Sequence, residues 1–167
     1  LAIIVIASFF RLWQLESIPP GVYPDEAMNA NNALTSPGKL FYSDNNGREG
    51  LFINLIALSF SIFGISIWSF KIVSAIAGIL TVIGVYLLAK EMFWNRKGAE
   101  IIALLSSFFL ATSFWHLNFS RISFRAILVP LVMTFAFYLL LKGFRTGKIW
   151  HFIAAGIVFG LGFHTYI

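Results

Sequence analysis

Apolar residues run along this chain in long blocks, and the polar residues between them are confined to short, well-bounded segments. Windows of about 20 residues mark five spans, at 1–15, 68–89, 99–117, 126–141 and 150–167. A sixth run, 51–67, is apolar but carries Asn54, Ser59, Ser61 and Ser66 and starts directly after Arg48-Glu49. Between the first span and that run the pattern breaks. Pro19-Pro20-Gly21 cannot continue a helix. Pro24 holds Tyr23 extended and suits a helix start, which predicts a short helix from Asp25 to about Leu34. Asn45-Asn46-Gly47 reads as a turn that delivers Arg48-Glu49 to the run at 51–67. The fold class this predicts is all-α: a polytopic membrane helix bundle with interfacial helices in a first outer loop at 16–67.

Composition supports lipid as the solvent. Hydrophobic residues make up 59% of the 167 positions and charged residues only 11%, against about 25% charged in soluble domains. The net charge of +5 raises nucleic acid as a partner. The basic residues lie in ones, twos and threes between apolar runs, with no basic stripe, and nucleic acid is excluded on that ground. The absence of cysteine removes disulfides and thiolate metal sites. The chain starts without Met inside an apolar run and shows no basic n-region or small-residue cleavage pattern. It reads as the N-terminal portion of something longer.

Charge orients the spans. If 51–67 lies along the interface, two short loops share one side, one with Lys90, Arg96 and Lys97 and the other with Lys142, Arg145 and Lys148. That satisfies the positive-inside rule, and the 16–67 loop then faces away from the cytoplasm. If the run crossed, the two basic loops would face opposite sides. Lys39, Arg48, Arg121 and Arg125 also fall outside, so the bias resides in the short loops alone.

Candidate chemistry lies in the outer loop. Asp25 and Glu26 open the expected short helix, where carboxylates suit the helix dipole, so simple capping charge is one reading. The other is functional. The pair sits just after a span, at the level of lipid headgroups, and Arg48, Arg121 and Arg125 recur on the same face. Guanidinium forks suit phosphate, and a carboxylate base beside a phosphate clamp is what transfer from a lipid phosphate requires. The four-residue spacing of Arg121 and Arg125 puts them on one helix face if that turn is helical. For Arg48 the alternatives are an interfacial anchor or a partner for Glu49; for Arg121 and Arg125, headgroup contact at a span end. His116, His151 and His164 are scattered and form no metal motif. Gly156, Gly160 and Gly162 read as sites of close helix packing.

The succession Arg11-Leu12, Tyr23-Pro24-Asp25-Glu26-Ala27, Gly47-Arg48-Glu49-Gly50-Leu51-Phe52, Phe63-Gly64 and Trp68-Ser69-Phe70-Lys71 resembles the GT-C superfamily of membrane glycosyltransferases. The branch is that of protein O-mannosyltransferases and the aminoarabinose transferase of lipid A. The resemblance implies an inverting transferase that moves a sugar from a polyprenyl-phosphate donor to an acceptor at the outer face of the plasma membrane. It gives Asp25 the role of base or acceptor-orienting group and Glu26 that of its companion. Arg48 would lie near the carrier phosphate, with Arg121 and Arg125 as further phosphate ligands. Lys71 stands where relatives usually have Arg. Many relatives carry a second acidic residue near the position of Arg125, and its absence here favours phosphate or headgroup binding by that loop. Whether a divalent metal takes part stays open, with Glu49 the candidate ligand. The sugar and the acceptor (protein, lipid or glycan) are not specified. The rival readings are a transporter or flippase fragment, which would carry ionisable groups in mid-membrane, and a non-catalytic scaffold.

The orientation has a direct check. A cysteine introduced at Asn95 in this cysteine-free chain is expected to react with impermeant reagent from the cytoplasmic side only; labelling from the opposite face would overturn it.

Overall fold

The computed structural model describes residues 1–44 and 46–166. Asn45, the first residue of the expected turn, and Ile167, the end of the last expected span, lie outside them. The described residues form eight α-helices and a two-stranded ribbon. The helices are α1 (Ala2–Leu12), α2 (Pro24–Thr35), α3 (Gly50–Phe63), α4 (Ile67–Met92), α5 (Ala99–Thr112), α6 (Phe114–Arg121), α7 (Leu128–Thr146) and α8 (Ile149–Gly162), with a 3-10 turn at Arg125–Ile127 before α7. The ribbon pairs β1 (Phe41–Tyr42) antiparallel with β2 (Arg48–Glu49), Tyr42 opposite Arg48.

The helix expected from Asp25 forms, one residue longer at each end than 25–34, with Pro24 as its first residue. Pro at that position lacks an N–H that would have had no intrahelical partner anyway.

Helix α4 is the centre of the bundle: α1, α3, α5, α6 and α7 all pack on it, and α8 packs on α7. Two ion pairs fix which ends lie together. Lys90 meets Glu100 at 2.7 Å, and Glu91 meets Arg145. The loops after α4 and after α7 therefore share one end, the basic end. At the other, the loop end, α2, the ribbon and the α6–α7 junction gather. Helix α3 is held at the loop end of α4 and α7 from both its termini. Glu49, before its first residue, pairs with Arg125, and Phe63, its last, packs edge-on against Trp68 with ring centroids 5.4 Å apart. Ser59 also donates to the Ser69 carbonyl at 2.5 Å. The main apolar core, with Phe52, Ile53, Ile56, Phe70 and Ile127, lies where α3 meets α4 and α7.

Two helical stretches are long and apolar enough to cross a membrane, Ile67–Met92 and Arg125–Thr146. At about 1.5 Å per residue the first spans roughly 39 Å, beyond a hydrocarbon core of about 30 Å. A third span exists if α5 and α6 count as one, since they meet at a 56° bend around Ser113. Helices α1, α3 and α8 are apolar but have only 11, 14 and 14 residues. Among the described residues two helices, or three with the bent pair, thus meet the length needed to cross, where the hydropathy pattern predicts five; α1 and α8 fall short of it.

Two arginines bind these interruptions together. Arg11 is fully buried and donates to the Ala111 carbonyl at 3.1 Å and the Leu110 carbonyl at 3.5 Å, at the end of α5. It also reaches Nδ1 of His116 at 2.8 Å and Ser120 Oγ at 3.3 Å, both on α6. Arg121, the last residue of α6, does the converse. It donates to the carbonyls of Phe10 at 2.5 Å, Trp13 at 2.6 Å, Gln14 at 3.2 Å and Ile18 at 2.8 Å, covering the end of α1 and the following turn. Arg11 of α1 thus caps α5, and Arg121 of α6 caps α1, each supplying partners for carbonyls that helix ends leave bare. Arg121 and Arg125 do not share a helix face: residues 122–124 leave the helix, with Ile122 and Phe124 extended, and a new turn starts at Arg125.

The glycines expected to permit close packing are not the ones that do. A Cβ on Gly156 or Gly160 would meet nothing within 4 Å, and on Gly162 only Val132 at 3.4 Å. Close approach occurs at Gly78 instead, where a Cβ would stand 2.2 Å from Ser120 Oγ and 2.9 Å from Arg11 Nε. Gly78→Ala is therefore expected to destabilise the protein by about 1–3 kcal/mol, read as a lowered thermal midpoint in detergent. An unchanged midpoint would mean that Arg11 and Ser120 are not held against α4.

Candidate active site at the loop end

Glu26 organises the start of α2. One carboxylate oxygen accepts from its own helix cap, the Tyr23 N–H, at 2.7 Å. This is the reaching-back half of a capping box. The other accepts from the Ser123 N–H at 2.6 Å, across 97 positions of sequence. Ser123 in turn donates its hydroxyl to the Phe70 carbonyl at 3.1 Å. The Glu26 side chain is 2% exposed, so a carboxylate that would be costly to bury alone is held by charge-assisted bonds to main-chain amides. Lys71, also buried, donates to the carbonyls of Pro19 at 3.2 Å and Gly21 at 3.3 Å, and its ammonium lies within electrostatic reach of Glu26. The loop at 19–24 is thereby tied to both α4 and the α6–α7 junction.

Asp25 is half-buried as the second residue of α2. Its neighbours Pro24 and Glu26 line a cavity of about 590 Å³, which Asn118, Ile122 and Phe124 close from the other side. That volume falls within the ordinary range for small-ligand sites, and its wall combines a few polar groups with prolines and aromatic rings.

The three arginines read as phosphate ligands are distributed differently. Arg48 is buried within the outer loop, donating to Asn29 Oδ1 at 2.8 Å and to Asp44 Oδ2 at 2.5 Å. Asn32 donates to the same Asp44 carboxylate at 3.1 Å, and these contacts, Asn32 foremost, hold the Asp44 carboxyl below its ordinary range. Arg121 is on the carbonyls of α1 and its turn. Arg125 pairs with Glu49 and lies 4.7 Å from the centroid of the Tyr166 ring. The structure thus brings Glu26 to the cavity with Asp25 next to it in the chain, and sets Arg48, Arg121 and Arg125 on separate partners outside its lining.

Among the described residues no three His, Asp or Glu side chains stand close enough to hold a metal. His116 is on Arg11. His151 shares a hydrogen bond with Thr146 at 3.1 Å at the basic end, and His164 is exposed. The sequence reading passed over Asn29 and Asn32, whose three-residue spacing on a polar helix was the available signal, and Ser123, whose role rests on a main-chain N–H.

Residues 51–167 match the family described as dolichyl-phosphate-mannose-protein mannosyltransferase. The protein named "Putative mannosyltransferase YkcB" from Bacillus subtilis (strain 168) is 32% identical over 108 residues, which is 65% of this chain and 14% of that protein. No solved structure matches the chain. The family match starts after Asp25, Glu26, Arg48 and Glu49 and includes Lys71, Ser123 and both Arg121 and Arg125.

Glu26→Gln is expected to lower stability by about 1–3 kcal/mol, because an amide presents one acceptor where two N–H groups need oxygen. Hydrogen exchange at the Tyr23 and Ser123 amides reads it directly. Protection unchanged at both would show that the carboxylate does not join the two loops.

Proposed function

We propose a function for this chain on one premise that stands: it belongs to the dolichyl-phosphate-mannose-protein mannosyltransferase family. The chain supplies part of the active site of a glycosyltransferase that takes a sugar from a polyprenyl-phosphate donor. The cavity at the loop end faces the non-cytoplasmic side of the plasma membrane and receives the reacting groups. Asp25 is the base. Its carboxylate takes the proton from an acceptor hydroxyl or amine as that atom bonds to the anomeric carbon. The bond from this carbon to the phosphate oxygen breaks, polyprenyl phosphate departs with the electron pair, and the product has the opposite anomeric configuration.

The observation that carries this reading is a half-buried carboxylate on a fixed helix start, between two residues that line a sugar-sized cavity. Glu26 is the positioning residue: bonded to two main-chain amides, it holds Asp25's turn against the opposite wall. The donor phosphate falls to Arg125. Arg121 is engaged by four carbonyls and Arg48 by Asp44 and Asn29 inside the loop. Arg125 rests on Glu49 and an aromatic face, a pairing that a phosphate can share.

The test is transfer from defined polyprenyl-phosphate sugars by the full-length protein. Asp25→Asn is expected to lower kcat by about 10²–10⁴-fold, the usual worth of a general base, with membrane insertion intact and the donor KM little changed. Full activity in that variant, or a product with the donor's anomeric configuration, overturns the assignment. In the same assay Arg125→Ala is expected to raise the donor KM about tenfold or more, and an unchanged KM removes its phosphate role.

A further inference from the structure

At the basic end, away from the proposed chemistry, a groove of about 660 Å³ opens between the C-terminal turns of α4 and α7 and the start of α5. Four cations line it, Lys90, Arg96, Lys142 and Arg145, against two carboxylates, Glu91 and Glu100. The carboxylates are already matched: Glu100 by Lys90 at 2.7 Å and by the Tyr86 hydroxyl at 2.6 Å, Glu91 by Arg145. Among the described residues Arg96 and Lys142 make no ion pair, so the groove carries two uncompensated positive charges. Lys142 donates to the Tyr138 hydroxyl at 2.7 Å and lies 5.0 Å from that ring's centroid. The tyrosine's own proton has no acceptor among the described residues, and both groups line the groove.

We propose that this groove binds the phosphodiester headgroup of an anionic lipid in the leaflet at the basic end. A phosphodiester brings one negative charge and two oxygens that accept from Lys142, Arg96 and the Tyr138 hydroxyl. The rim favours a lipid over a soluble anion. Trp94 lines the groove and is exposed, with the Arg145 guanidinium 5.6 Å from its ring centroid, and Met92, Ile101 and Phe144, next in sequence to Glu91, Glu100 and Arg145, are exposed at the same end. Apolar and aromatic side chains beside paired cations are what a headgroup with its acyl chains meets at an interface. The site is independent of the glycosyl-transfer reading, since none of its residues belongs to that cavity.

The experiment is native mass spectrometry of the protein released from nanodiscs made of equal parts phosphatidylglycerol and phosphatidylcholine. Retention of phosphatidylglycerol is expected to exceed that of phosphatidylcholine by about tenfold, from two unmatched cations at a charged interface. The double variant Arg96→Ala, Lys142→Ala is expected to bring the ratio below about twofold while leaving both ion pairs of the groove in place. Tyr138→Phe lowers it in the same direction. The double variant Lys97→Ala, Lys148→Ala removes the same charge from the same end but outside the groove, and is expected to keep the preference. Equal retention of the two lipids by the unaltered protein overturns the proposal. So does an equal loss in the off-groove variant, which would make it bulk charge. Release of phosphatidylglycerol by about 10 mM inorganic phosphate, beyond that caused by sodium chloride of equal ionic strength, would assign the groove to a soluble anion and overturn it as well.

Discussion

A helix that ends inside or beside a bilayer leaves its last carbonyls without water to receive, and each such group costs free energy unless a donor reaches it. In this chain α1 and α5 both end beside a buried arginine or a guanidinium from a neighbouring helix, which meets that need. Arg11 of α1 serves the end of α5, and Arg121 of α6 serves the end of α1. A guanidinium is suited to this because its five N–H donors spread over a plane and remain charged at any ordinary pH. A lysine in either place would offer a point charge and leave part of the set uncovered. The 56° bend between α5 and α6 is possible because the break is capped from a neighbouring helix, and that bend sets where Asn118 and Ile122 stand at the cavity wall.

The same exchange fixes the loop that carries the acidic pair. Arg121 reaches Ile18, Lys71 holds Pro19 and Gly21, and Glu26 holds Ser123. Two cations, from α6 and α4, thus reach carbonyls of the stretch that runs up to Glu26, and Glu26 itself reaches a main-chain amide beyond α6. Charge at this end of the protein acts first as structure. Glu26 is committed to that loop's anchor points, and under the proposed mechanism the adjacent Asp25 carries the chemistry.

Hydropathy and proline placement made the helical class and the start of α2 legible, because both depend on local preferences. The partners of the arginines were not. Reading a guanidinium as a phosphate ligand weighs its chemistry against water and ligands, whereas here its competitors are the protein's own carbonyls. These become available only where a helix stops, and Ser113 gives no Gly or Pro signal that α5 stops there. Gly156 and Gly160 meet no neighbour among the described residues for a related reason: spacing marks a face, and only the tertiary arrangement decides whether a helix lies against it. Gly78, isolated in the middle of α4, carried no spacing pattern, yet it is where a serine and an arginine from two other helices come together.

The family match begins at residue 51, after the acidic pair, and the geometry gives that boundary a meaning. Glu26 to Ser123, Glu49 to Arg125 and Ile18 to Arg121 each join a residue before the boundary to one after it. The receiving positions all fall within 121–125, a segment between two helices. That segment is therefore the seat on which the preceding loop rests, and its main-chain amide at Ser123 needs no particular side chain to serve. A loop anchored in this way can vary in sequence along its length and still present a carboxylate at the same place, provided an acceptor remains for that amide.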